Sequence, residues 1–187
     1  MNTEEGMSVR YIKRHGDAGV DSLRNYTEIN PETVLKNGWA YDTDSLPDNF
    51  RDTCINKDLA EKNRPETDVP FEERTVTLGG KESKVVVPKF ESNFDAQLTD
   101  DLIKSTDANQ FTECNAQLRD AIKKDPQLKN KFTVEQLEDI ELGDIPDGFT
   151  WHHNEEVGKM QLVDTVTHNK TGHTGGRNIW GGGSDAR

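Results

Sequence analysis

Two stretches of the chain carry a strand-like pattern of apolar and polar positions. Arg74-Thr75-Val76-Thr77-Leu78 and Ser83-Lys84-Val85-Val86-Val87 are short β-branched runs on either side of Gly79-Gly80. β-Branched residues suit a pleated surface, and paired glycines tolerate the positive φ of a tight turn. Residues 73–90 are therefore predicted as a β-hairpin, ended by Pro88. Over residues 107–124 the period lengthens. Phe111, Cys114, Leu118, Ala121 and Ile122 recur at near-helical spacing, which predicts an amphipathic helix capped by Asp107 and broken at Asp125-Pro126. Another helix starts at Thr99–Leu102. A further one starts at Thr133, where Thr133 with Gln136 forms a capping box, and ends at Gly143. Ile145–Phe149 is a turn.

After that turn the order is strand, turn, strand, helix. Phe149–His153 is extended, Asn154–Gly158 turns, and Lys159–Val163 returns with Met160 and Leu162 on one face. Asp164 or Thr165 caps a helix from Val166 to Lys170. Residues 1–70 show scattered aromatics (Tyr11, Tyr26, Trp39, Tyr41, Phe50) and turn signals at Asn30-Pro31, Asn37-Gly38 and Leu46-Pro47-Asp48. They predict short helices and loops, with Asn63–Pro70 as a linker. The fold class is α+β: a helical or irregular N-terminal part, a β-hairpin, helices, and a C-terminal ββα element. Two segments follow, residues 1–72 as an accessory or linker part and 73–187 as the main domain, with its core at 149–180.

Composition sharpens this picture. Hydrophobic and charged residues each make up 31% of the 187, so the core is small for the length. The net charge of −12 argues against a general basic surface for nucleic acid and against a polybasic membrane patch. No run is long enough to span a membrane. Met1–Glu5 has no basic or apolar region of the kind that opens a cleavable signal peptide. Cys54 and Cys114 are read as plain thiols.

The charge is unevenly placed. Residues 151–187 carry four acids and four bases, so the whole excess lies before Trp151. That neutral stretch holds His152, His153, His168 and His173; only His15 lies elsewhere. Neighbouring strand residues face opposite ways, so one member of His152-His153 can ligate a metal while the other meets a substrate. Neutral imidazole is available near pH 7, because its ordinary pKa is about 6.5. Three histidines leave an open metal position, as catalysis requires. Trp151 and Trp180 are read as core, Glu155 and Glu156 as a solvated turn. Gly175-Gly176 either permit tight turns or bring backbone to phosphate.

Trp151-His152-His153, the Lys159–Val163 strand, His168 and His173-Thr174-Gly175-Gly176 resemble the HNH/endonuclease VII superfamily, in its Trp-His-His branch. That branch is similar to colicin-type DNase domains and forms C-terminal modules of polymorphic and LXG-type bacterial toxins. The resemblance extends back through Pro146–Thr150 and Phe94–Leu98 to about residue 75. It implies a ββα-metal (His-Me finger) element in a metal-dependent endonuclease toxin that cuts DNA during competition between bacteria. It implies His152, His168 and His173 as metal ligands and His153 as general base. Arg177 is chosen as a phosphate clamp or else a structural ion pair, with Lys170, Gly175 and Gly176 at the substrate. The family's Asn has Asn169 as its candidate. His168-x4-His173 is one residue longer than the His-x3-His of colicin DNases, so His173 is read as ligand or phosphate contact. The cofactor implied is a divalent ion, Mg or Zn first, then Ni or Mn. The partners implied are nucleic acid and an immunity protein, without a membrane. Delivery to the target cytoplasm would use a specialised secretion system. The rival readings are an RNase of the same fold and a non-enzymatic acidic binding protein with a structural metal.

Overall fold

The computed structural model describes residues 50–78 and 80–183, and all of them fall in one compact unit. The expectations for the segment before Phe50, including His15, lie outside the described residues. The described part opens with a short helix α1 (Phe50–Thr53) and a 3-10 turn (Lys57–Leu59). Strand β1 (Lys62–Asn63) pairs with β2 (Pro70–Leu78), which pairs with β3 (Lys81–Pro88) in an antiparallel sheet. The pair Leu78↔Lys81 leaves a two-residue turn, and Gly80 takes the expected positive φ of 77°. Val85, Val86 and Val87 are all buried, because α1 packs on β3 from one side and the rest of the core covers the other.

The expected linker is a packed loop. Arg64 N donates to Val69 O at 2.8 Å, Asp68 takes φ 57°, and Val69 is buried with Phe90 and Val163. Phe71 is fully buried and Cys54 nearly so. A boundary after residue 72 thus falls inside one hydrophobic core. Its local composition of Asn, Arg, Pro and Glu reads as solvated, because the apolar anchors Val69 and Phe71 stand only at its end.

The second sheet has the order β4-β6-β5, from Phe94–Gln97, Lys159–Asp164 and Phe149–His153. The two predicted strands are joined at β6 by a third, β4, too short to read by alternation. Helix α2 (Asp107–Lys124) has the expected span, but its cap is Thr106, whose hydroxyl accepts from Asn109 N. Asp125 caps the short α3 (Pro126–Lys129) instead. Helix α4 (Val134–Leu142) has both halves of the capping box and stops at Gly143, φ 83°. Thr99–Leu102 yields only a 3-10 turn, Asp100–Leu102. Helix α5 (Thr165–Lys170) is capped by Asp164, and a one-turn helix α6 (Gly176–Ile179) follows it. Both cysteines are free and buried. Burial pushes the Cys114 thiol up to about 12. No helix among the described residues is long and apolar enough to cross a membrane.

Candidate metal centre and active site

Strand β5 presents its two histidines to opposite sides. His152 faces α5 and the loop after it, while His153 and Trp151 face α2. The antiparallel partner β6, through Trp151↔Leu162 and His153↔Met160, holds this alternation in register. A slip of one residue would exchange the two histidines.

On the first side, the ligand atoms of His152, His168 and His173 all lie within 4.8 Å of one another. His173 Nδ1 is 2.6 Å from the Thr171 carbonyl. A carbonyl only accepts, so Nδ1 carries the proton and Nε2 keeps a lone pair. That Nε2 lies 3.2 Å from His152 Nδ1. Asn169, next to His168 in the chain, opposes the fall of that imidazole's pKa. Phe90 packs on all three rings, with centroids 4.8, 5.4 and 5.3 Å from His152, His168 and His173. Burial drives the His152 imidazole well below its ordinary value, helped by the charges His173, His168 and His153 would carry. Burial likewise brings His168 to about 3, with His173 adding to the shift. It brings His173 to about 4, against the opposing Thr171 carbonyl. Three neutral imidazoles converging, two of them buried and His168 half-buried, form a donor set that fits a metal ion.

The loop bearing His173 is strapped down by a segment more than 100 residues earlier in the chain. Ile55 N donates to Thr174 Oγ1 at 2.9 Å, Asn56 Nδ2 donates to the Gly172 carbonyl, and the Thr67 and Thr171 hydroxyls are 2.8 Å apart. These contacts join positions more than 100 residues apart and left no mark in the sequence pattern.

On the other side, His153 Nε2 lies 2.7 Å from Gln110 Oε1 and 3.7 Å from Asp107 Oδ1. Arg177 meets the same group. Its Nη1 donates to Gln110 Oε1 and to the Ser105 carbonyl, both at 3.0 Å, and its Nε is 3.2 Å from Asp107 Oδ1. Arg177 is only 4% exposed, with Gln110, Ser105 and Asp107 against its guanidinium. Asp107, Gln110, Phe111 and Asn115 form one stripe of α2. Its polar members Gln110 and Asn115 are buried, which hydrophobic periodicity cannot reveal.

Gly175 and Gly176 pack on β5. A Cβ on Gly175 would lie 3.2 Å from the His153 carbonyl and 3.4 Å from His173 Nε2. One on Gly176 would overlap the Asn154 carbonyl and come within 2.5 Å of Trp180 Nε1. Neither has positive φ, so close approach is the reason for glycine. Trp180 Nε1 donates to that Asn154 carbonyl at 2.9 Å, and Trp151 Nε1 to Asn115 Oδ1 at 2.7 Å; both rings are core. Lys170 is exposed at the end of α5. Glu155 departs from expectation. It is buried, 3.4 Å from Arg74 Nε, and burial raises its carboxyl pKa, while Glu156 is exposed.

A ββα element with a metal-capable three-histidine group on one side of its strand, buried at His152 and His173 and half-buried at His168, and a histidine on the other side defines the class of site. The profile of the DNase/tRNase domain of colicin-like bacteriocins matches residues 80–175, which is 96 of the 187 residues, and the chain belongs to that family. It is a family of nuclease toxins, with nucleic acid as substrate. Neither the curated proteins nor the solved structures include a match to this chain.

Proposed function

We propose that the protein is a metal-dependent HNH-type endonuclease toxin that hydrolyses phosphodiester bonds of DNA in a competing bacterium. The observation that carries this reading is the division of labour on β5: His152 joins the metal-capable group, and the adjacent His153 faces away from it. His152, His168 and His173 would hold a divalent ion, Mg or Zn in the first instance. When bound, that ion supplies positive charge to the oxygen leaving the cut bond. His153 takes the proton from the attacking water as the new P–O bond forms. The leaving oxygen takes its proton from solvent. Lys170, exposed one helical turn from Val166, contributes a phosphate contact. Arg177 acts from within, holding α6 against α2.

Delivery into the target cell and protection of the producer by an immunity protein follow from the same reading. The family description names tRNase beside DNase, so RNA is the second substrate reading. The test is incubation of the full chain with plasmid DNA and with total RNA, with and without EDTA. Cleavage of plasmid that EDTA stops is the expected result. Cleavage of RNA alone would move the assignment to the second reading. Bound metal with no cleavage of either would leave the histidine group a structural site and end the enzyme reading.

A further inference from the structure

We infer that Gln110, on helix α2, is a positioning residue that sets the tautomer and ring orientation of His153; as a statement about catalysis this rests on the nuclease reading above. Gln110 is fully buried in the middle of an amphipathic face. Its amide nitrogen donates to two backbone carbonyls, Leu102 O at 2.7 Å and Ile103 O at 2.9 Å. Carbonyls cannot donate, so the NH2 group belongs on that side and Oε1 on the other. Arg177 confirms the orientation, because guanidinium only donates and its Nη1 is 3.0 Å from Oε1. Both ends of the amide are thereby fixed by groups with a single hydrogen-bonding role.

The consequence falls on His153. Its Nε2 stands 2.7 Å from an oxygen that can only accept. Nε2 therefore carries the proton, and in the neutral ring Nδ1 is the basic nitrogen. Asp107, three residues before Gln110 on the same face, lies 3.7 Å from the same Nε2 and 3.2 Å from Arg177 Nε, adding a second oxygen to that edge of the ring. The ring is further bounded by Phe111 and Trp180, at centroid distances of 5.9 and 5.6 Å. A glutamine suits this task because it presents its oxygen at the end of a flexible stem while its nitrogen anchors to the 3-10 turn before the helix.

The test reads the tautomer directly. Long-range proton–nitrogen NMR correlation on the full chain, metal-free and zinc-loaded, at pH 8, shows which ring nitrogen of His153 is protonated; the signals are assigned by their loss in His153→Gln. A pyrrole-type Nε2 and a pyridine-type Nδ1 are expected. A protonated Nδ1 with a bare Nε2 in the native protein overturns the proposal. Gln110→Met keeps the length and removes the acceptor. It is expected to give mixed tautomers, to lower kcat about 10-fold or more with KM and zinc affinity little changed, as loss of an orienting partner does. Retention of the Nε2–H tautomer and of full kcat in Gln110→Met also overturns it. Absence of cleavage by the native protein would end the nuclease reading while leaving the tautomer result to decide this one.

Discussion

His173 Nε2 and His152 Nδ1 stand 3.2 Å apart inside the protein, and the proton of His173 is held on its other nitrogen by the Thr171 carbonyl. With His168 beside them, the three rings form a group that could hold a metal ion. Isothermal titration of the full chain with Zn is expected to show one tight site. His168→Ala is expected to weaken it at least about 10-fold, since one of three ligands is lost. Unchanged affinity in His168→Ala would remove that residue from the site.

Acid will destabilise the metal-free protein through these same histidines. Their folded pKa values are depressed, so between the folded and unfolded values the unfolded chain binds more protons, and stability falls as pH falls. For His173, held at about 4 by burial, the loss begins below the ordinary 6.5 and levels off below 4. That span corresponds to roughly 3 kcal/mol for one such group. Urea midpoints measured from pH 8 to pH 4 are expected to drop through this window, and a flat profile would count against buried neutral imidazoles. Bound metal should delay the drop, because it competes with the protons.

Replacing Arg177 separates packing from substrate binding. Of its partners Gln110 is buried and Ser105 and Asp107 are half-buried, so Arg177→Ala is expected to cost roughly 2–3 kcal/mol of stability, a figure already discounted for the partly solvated Asp107. Arg177→Lys keeps charge but loses the fork, and should recover only part of this. A normal urea midpoint with a raised KM would instead restore the phosphate-clamp role.

Gly176→Ala should destabilise without touching a single charged group. The new methyl would overlap the Asn154 carbonyl and crowd the Trp180 ring that donates to it. A cost of roughly 2–3 kcal/mol is expected from such overpacking, read as a lower melting temperature and altered Trp180 fluorescence. An unperturbed melt would show that α6 can shift away from β5.

A chain cut to begin at residue 73 is expected to lose its cooperative fold. It would lack the buried Phe50, Cys54, Val69 and Phe71 and the strap from Ile55, Asn56 and Thr67 onto the His173 loop. Circular dichroism melts of the full and cut chains decide this. Equal, sharp transitions would show that residues 50–72 are dispensable.

Local pattern alone determined a good deal about this protein. The hairpin around Gly80, the span of α2, the capping box at Thr133 and the strand–turn–strand–helix at the end are each written in neighbours within a few residues, through side-chain period and capping chemistry. The histidine cluster was legible because four of the five histidines fall within 22 residues, and strand alternation separates His152 from His153. Tertiary structure decided what those histidines meet. Gln110, Phe90 and the strap residues Ile55, Asn56 and Thr67 come from distant segments, and a polar residue such as Gln110 reads as exterior until its partners are seen. Arg177 shows the same limit in reverse. An arginine near a candidate phosphate site looks solvent-facing in the sequence, and only the tertiary structure shows it buried beside Asp107, Ser105 and Gln110. Hydrogen-bond partnership depends on three-dimensional proximity, which sequence spacing does not encode beyond a helical turn or a hairpin.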